Sequence, residues 1–283
     1  YTNLGYGRTS EIRSYPTTNL HYIQFNNEST LGRYDTIRMA MNYAFDRTYF
    51  AEELLHGNGV GSSVAMYPTC AAYPETYAQT MNYNLNSCRS ILENAGLKDY
   101  DGDGWLEYMS AGEDASLILI VCSDSSAKTG MCQKFAEDMA TIGLKIDVQE
   151  LTWDDYMTAL EEGNFDMYYG EVKLRNNFDL TELLDPEDEL NYSRSTDTIF
   201  LGLLESYLAA SDATRSSMYQ AFYEHVASRG LLISIGFEHQ EIIVHRGMIR
   251  GLNANLGNPL YDFKNWEIIL DDENTEQGEG END

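Results

Sequence analysis

The sequence predicts an α/β fold, a mostly parallel sheet flanked by helices. From Ser116 onward, short β-rich apolar runs alternate with helical stripes in the order β-α-β-α-β. Each helical stretch carries its own apolar face, which two crossovers would lay against a sheet. At 283 residues and 43% hydrophobic, the chain is long enough to enclose the core this arrangement needs.

In chain order, Ser14 to Asn27 alternates and carries Tyr22, Ile23 and Phe25, predicting an extended segment that ends in the turn residues Asn26, Asn27 and Glu28. Ile37, Ala40, Met41, Ala44 and Phe45 recur at helical spacing and predict a helix over Tyr34 to Phe45. A second short helix through Phe50, Leu54 and Leu55 should stop at Gly57. Gly57 to Tyr83 lacks periodicity and reads as a long ordered loop. Its glycines follow a helix rather than a strand and no GK[ST] completes them, so a phosphate loop is not indicated.

The regular part runs as strand Leu117 to Cys122, helix Lys128 to Ile142, strand Lys145 to Leu151, helix Trp153 to Glu162 and strand Phe165 to Glu171. Cys132, Phe135 and Met139 on the first helix, and Trp153, Met157 and Leu160 on the second, are the faces expected to meet the sheet. Helices follow over Ile199 to Leu208 and Met218 to Ala227, and strands Leu231 to Phe237 and Glu241 to His245 suggest a hairpin. Residues 271–283 hold seven acids and neither a base nor an apolar residue, the composition of a solvated, disordered tail.

Eighteen basic residues against 46 acidic ones leave a net charge of -28. That balance repels phosphate backbones and anionic membranes, so nucleic acid is not an expected partner. No apolar run approaches the roughly 20 residues needed to span a bilayer. The chain opens at Tyr1 in polar, turn-rich sequence, which reads as a piece of a longer protein. Cys70, Cys88, Cys122 and Cys132 form no CxxC pair, and a Cys70–Cys88 disulfide stays open at this level. Neither G-x-S-x-G nor H-E-x-x-H occurs, and acidic pairs such as Asp154 and Asp155 read as solvated helix faces. His239 and His245 bracket the expected hairpin turn but match no common ligand spacing.

The sharpest local motif begins at Asp99. Asp99, Asp101 and Asp103 fall at positions 1, 3 and 5 of an EF-type loop, Gly104 at 6, the carbonyl of Trp105 at 7 and Glu107 at 9. Ser110 stands where a bidentate Glu would close the loop. The segment reads either as a partial calcium site or as an Asp/Gly turn between a helix ending near Leu97 and a strand near Leu106.

Several segments, taken in order, resemble the peptide- and nickel-binding class of bacterial extracellular solute-binding proteins. They are Tyr22 to Asn26; Arg38, Ala40, Ala44, Asp46 and Arg47 in the pattern R-x-A-x-x-x-A-x-D-R; Leu54 to Gly59; Cys88 to Gly96 with the Asp/Gly loop; and Ile142 to Val148 leading to Tyr156 and Gly163 to Asp166. The resemblance implies one lobe of a periplasmic-binding-protein-like fold, the second of two that close over a solute. Residues 1–30 would be the incoming hinge segment, 31–246 the lobe, 247–270 the return hinge and 271–283 the tail. It implies binding rather than chemistry, an oligopeptide or similar small solute, a missing first lobe, a membrane ABC permease as partner and a lipid-anchored extracellular location. The family's Trp after the glycine matching Gly170 is Glu171 here, and Leu174 stands near its acidic position, with Lys173 and Arg175 adding positive charge. Because strand carboxyl ends open onto ligand crevices, the expected contact residues are Glu171, Lys173, Asn176 and Phe178, with Tyr22 and Asn26 at the hinge. A calcium-binding structural or adhesion module and a secreted hydrolase are the alternatives.

Overall fold

The computed structural model describes residues 10–269. The tail expected over residues 271–283 lies outside them. Along the chain come β1 (Ser10–Phe25), α1 (Asp35–Ala40) with a 3-10 turn at Met41–Tyr43, α2 (Arg47–Tyr49) running into a π-turn at Phe50–Leu54, β2 (Gly59–Gly61), α3 (Glu75–Ala78) and α4 (Leu85–Asn94). Next are β3 (Leu97–Lys98), β4 (Glu107–Tyr108), β5 (Ser116–Cys122), α5 (Ser126–Thr141), β6 (Lys145–Leu151), α6 (Trp153–Glu162) and β7 (Met167–Lys173). The last elements are α7 (Thr181–Leu184), α8 (Ile199–Leu208), α9 (Arg215–Ser228), β8 (Ile233–His245), β9 (Ile249–Arg250) and β10 (Glu267–Ile268).

The six-stranded sheet has the order β2-β8-β1-β7-β5-β6. β5 is parallel to both β6 and β7, as the β-α-β-α-β pattern predicts. β1 joins antiparallel to β7 and β2 antiparallel to β8, which makes the sheet mixed. Chain contacts define two compact units, one of residues 18–238 and one of residues 1–17 with 239–283, so the divisions fall inside β1 and β8. In the terminal unit β9 pairs antiparallel with β10, and the Arg13 guanidinium donates to the carbonyls of Ile249 and Leu252, both at 3.3 Å.

Period-2 alternation sorts the side chains of β1 and β7. Ile23, Phe25, Met167 and Tyr169 enter the main core, together with Ile37, Met41 and Phe45 from the first helical segment. Phe45 stacks on Phe135 of α5 with ring centroids 4.3 Å apart. The opposite face of the same strands presents Tyr22, Gln24, Tyr168 and Gly170, which pair across the ladder as Tyr22 with Gly170 and Gln24 with Tyr168.

Two sequence expectations are corrected, and the question left open about Cys70 and Cys88 is answered. The helix expected over Tyr34 to Phe45 is α-helical only to Ala40; it buries the predicted face, and Asp46 then caps a new helix by accepting from the N–H groups of Thr48 and Tyr49. The hairpin expected within Leu231 to His245 is one continuous strand, β8. His239 and Gln240 offer none of the Gly, Asn or Asp that a tight hairpin turn requires. The Cys70–Cys88 disulfide does not form; all four cysteines are free, and Cys88 is a buried core residue of α4.

The two arginines of the R-x-A-x-x-x-A-x-D-R pattern are buried, and both bind backbone carbonyls. Arg38 donates to Gly32 at 2.7 Å and Arg229 at 2.6 Å, and to Asp35 at 2.6 Å. Arg47 donates to Ser234 at 2.8 Å, Asn42 at 3.1 Å and Met81 at 3.2 Å, and burial pulls its pKa down to about 10. Replacing Arg47 by Met should therefore cost at least about 3 kcal/mol, since several buried carbonyls lose their donor. Met41→Leu, which conserves volume, should cost under about 1.5 kcal/mol. Urea unfolding of the two variants checks this, and equal midpoints would remove Arg47 from its anchoring role.

Candidate functional site

At the carboxyl ends of the parallel strands β5 and β7 the fold leaves a crevice of about 380 Å³. Its floor is the Tyr22, Tyr168 and Gly170 face of the β1–β7 pair. One wall comes from α6, with Trp153, Tyr156, Met157 and Leu160; the other comes from Leu183 of α7 and from Leu190 and Tyr192 in the loop beyond it. Trp153 and Leu190 are exposed, at 60% and 40%, so the crevice offers apolar surface to whatever enters. Trp153 was expected to face the sheet; as the first residue of α6, after the Thr152 cap, it faces the crevice instead.

The aromatic floor is fixed by its neighbours. Tyr22 and Tyr168 meet edge to face at 5.9 Å, and Tyr168 meets Tyr192 at 6.3 Å. The Tyr168 hydroxyl donates to Gln24, whose amide in turn donates to the carbonyl of Leu231 at 3.0 Å. The Tyr156 hydroxyl donates to the Tyr169 carbonyl at 2.8 Å. Burial pushes the Tyr22 phenol up to about 12 and also raises those of Tyr156 and Tyr168, so all three are neutral donors at physiological pH.

The charged end of the crevice is a triad. The Lys128 ammonium, near the start of α5, lies 2.8 Å from Glu171 and 3.1 Å from Asp124. Burial alone would lower its pKa, but the bonds to the two carboxylates outweigh this and raise it. The other Glu171 oxygen accepts from the Asn19 amide at 2.9 Å. Across the β1–β7 ladder from Glu171, the buried His21 ring has Nδ1 3.0 Å from the Tyr169 hydroxyl and Nε2 3.6 Å from Glu238. His21, Glu171 and Glu238 stand close enough together to share a cation. Among the lining residues, the charged groups are thus paired with one another and the phenols are protonated.

The six contact residues expected from sequence separate. Tyr22 and Glu171 line the crevice together. Lys173 lines a smaller hollow of about 260 Å³ with Arg175, Asp179 and Glu182. Asn176 and Phe178 line another, of about 440 Å³, with Met66, Tyr207 and Arg215. Asn26 sits at the amino end of β7, where its amide donates to the carbonyls of Gly163 and Phe165. Antiparallel pairing makes that separation unavoidable: four residues of β1 past Tyr22 is about 13 Å toward the wrong end of β7. Lys128, Asp124, Trp153, Tyr156, Tyr168 and Tyr192 were missed. The usable signal was their position, since Asp124, Lys128 and Trp153 all follow closely on the carboxyl ends of β5 and β6. Separately, Asp99, Asp101 and Asp103 are exposed and Glu107 is buried, with one ligand oxygen from each lying within 4.8 Å of the others.

Residues 2–180 match the model of the family described as bacterial extracellular solute-binding proteins, family 5 middle. The oligopeptide-binding protein AppA of Bacillus subtilis is 21% identical over 252 residues, covering 87% of this chain and 46% of AppA. The periplasmic alpha-galactoside-binding protein of Rhizobium meliloti is 27% identical over 148 residues, covering 48% of this chain and 20% of that protein. Among solved structures, AppA in complex with a nonapeptide matches with a TM-score of 0.71 at 19% identity, over 93% of this chain and 53% of that one. The periplasmic EDTA-binding protein EppA matches with a TM-score of 0.74 at 19% identity, over 93% and 50%. The chain spans less than about half the length of these curated relatives, and the structural likeness at this identity is one of fold.

Two expectations follow from the geometry. A Cβ on Gly170 would meet the Tyr22 ring at 2.2 Å, so Gly170→Ala should displace Tyr22 from the crevice floor and cost about 1–3 kcal/mol in a denaturant titration; a cost near zero would mean the floor is soft. The second concerns Lys128, whose folded pKa lies above the ordinary 10.5. A base raised in the folded state adds stability that is complete below its unfolded pKa and is lost as pH rises through the folded value. The stability advantage of wild type over Lys128→Met should thus hold steady from neutrality to the unfolded value and shrink above it, read from midpoints at about pH 7 and about pH 11. An advantage that grows in alkali would contradict the triad.

Proposed function

Because the chain belongs to the bacterial extracellular solute-binding proteins of family 5, we propose that it is the second lobe of the substrate-binding component of an ABC importer, and that it contacts an oligopeptide or similar small solute. The observation that carries this reading is the crevice itself: an aromatic trough at strand carboxyl ends, closed at one side by the Lys128, Glu171 and Asp124 triad. Aromatic walls supply apolar burial without demanding a particular side chain, and a few convergent polar groups set orientation. A peptide or sugar suits such a site. Lys128 can meet a solute carboxylate, and Glu171 and Asp124 can meet an ammonium or hydroxyl, each by exchanging an internal partner for an external one. Glu171, where the resemblance implies a Trp, gives this crevice a polar end beside the aromatic Tyr168 of β7 and Trp153 of α6.

The reading is of binding without chemistry. Neutral phenols and an ion triad supply neither an activated nucleophile nor a free base at neutral pH. In the intact protein a first lobe would close over the solute. The segments 1–30 and 247–270, with the strands β1 and β8 that pass between the two compact units, would carry the hinge. The intact protein would sit outside the cell, held by a lipid anchor, and deliver its solute to a membrane permease. No helix among the described residues is long and apolar enough to cross a membrane.

Calorimetry against a panel of oligopeptides and sugars, on the intact two-lobed protein and on this chain alone, tests the proposal. Enclosure by two lobes provides much of the burial, so the chain alone should bind at least about 100-fold more weakly. In the intact protein Trp153→Ala and Lys128→Met should each weaken binding about tenfold or more, equivalent to about 1.4 kcal/mol. Undiminished affinity in the isolated chain would contradict the clamp, and undiminished affinity in both variants would move the site out of this crevice.

A further inference from the structure

We propose that the loop from Asp99 to Glu107 is a calcium site, in which carboxylate oxygens of Asp99, Asp101, Asp103 and Glu107 and the carbonyl of Trp105 surround one ion. None of these residues lines the solute crevice. The observation that carries it is Glu107. Its side chain is fully buried, at 0% exposure, and one oxygen accepts the Tyr100 N–H at 2.7 Å. The other oxygen, Oε1, has no partner. A buried carboxylate oxygen left without a donor is costly, and a cation is the group that satisfies both its charge and its lone pairs. No Lys or Arg among the described residues forms an ion pair with any of the four carboxylates. Lys145, which stacks 4.8 Å over the Trp105 ring, pairs instead with Asp114.

The four carboxylates converge despite their mutual repulsion, each offering an oxygen within 4.8 Å of the others. The backbone that brings them there is tied inward: Asp99 accepts from the N–H groups of Gly102 and Gly104, Asp101 from that of Asp103, and Asp103 from that of Trp105. Gly102 and Gly104 adopt φ values of 85° and 99°, which the tight turn demands. The donor set is all oxygen, which selects a hard cation over zinc or copper. A carboxylate-rich loop of irregular geometry suits the larger, irregular coordination of calcium better than the strict octahedron of magnesium. Ser110 stands where the EF-type loop has its bidentate Glu, so the buried Glu107, anchored in the β3–β4 ladder opposite Lys98, takes over as the fixed end of the site.

A bound ion would act beyond its loop. Leu106 donates from its N–H to the Gly143 carbonyl at 2.8 Å, and a Cβ on Gly143 would meet the Gly104 carbonyl at 2.6 Å, so the loop backbone rests directly on the turn between α5 and β6. Calcium should thus fasten the α4–β5 connection to the parallel core.

Chelator-stripped chain titrated with calcium chloride by calorimetry should show one site with a Kd on the order of 10⁻⁴ M, the range of extracellular calcium modules. The melting temperature should climb with calcium concentration and far less with magnesium. Terbium should replace calcium and luminesce when Trp105 is excited. Asp101 is exposed, so Asp101→Asn should leave the circular dichroism unchanged while weakening calcium at least about tenfold. Absence of binding up to about 10 mM calcium, or equal affinity in wild type and Asp101→Asn, would overturn the proposal.

Discussion

The fold of the larger unit depends on the Arg47 guanidinium being buried and bonded to backbone carbonyls rather than to a carboxylate. It reaches Ser234 on β8, Asn42 in the 3-10 turn after α1 and Met81 at the end of the long loop, three segments far apart in sequence. Irregular backbone that enters a protein interior must have its carbonyls satisfied. A planar guanidinium does this for several at once, which a lysine ammonium cannot match in geometry. Arg38 repeats the device for Gly32, Arg229 and Gly230. With these two side chains in place, the segment between β1 and α4 can pack against β8 and α9 although its helices and strand are short and joined by irregular backbone.

The crevice depends on a second constraint, the pairing of Tyr22 with Gly170 across the β1–β7 ladder. A glycine in a central strand forfeits packing and loosens the backbone. Here the Tyr22 ring fills the space that a side chain would have occupied. The antiparallel entry of β1 beside a parallel pair brings an aromatic from the first strand to the carboxyl end of β7. The same pairing explains why Asn26, only four residues along, is a structural clamp at the opposite end. Strand pairing thus decides which residues can share a crevice.

Charge is handled differently in the two polar regions. At the crevice, Lys128 pairs with both Glu171 and Asp124, so the protein itself offsets part of their negative charge. At the Asp99–Glu107 loop no cation among the described residues does this, and the buried Oε1 of Glu107 has no hydrogen-bond partner among them. A chain with a net charge of -28 has few cations to spare. The two clusters thus differ in whether a side chain of the protein itself offsets their negative charge.

By itself the sequence determined the β-α-β-α-β core, because periods of 2 and 3.6 are local properties: β6, α6 and α8 begin and end where periodicity predicts. It also determined the Asp/Gly loop, whose residues are contiguous, and the R-x-A-x-x-x-A-x-D-R pattern, though not the carbonyls those arginines serve. Only the tertiary structure decided that β1 runs antiparallel beside β7, that β8 continues without a turn, and that Trp153 faces a crevice rather than the sheet. The crevice unites Tyr22, Lys128, Trp153, Gly170 and Tyr192 from five separate stretches of chain, and the predicted run from Glu171 to Phe178 divides among three hollows. Residues adjacent in an extended loop diverge by about 3.3 Å per step and turn to alternate sides. Which of them meet is settled by strand order and register, which no local pattern encodes.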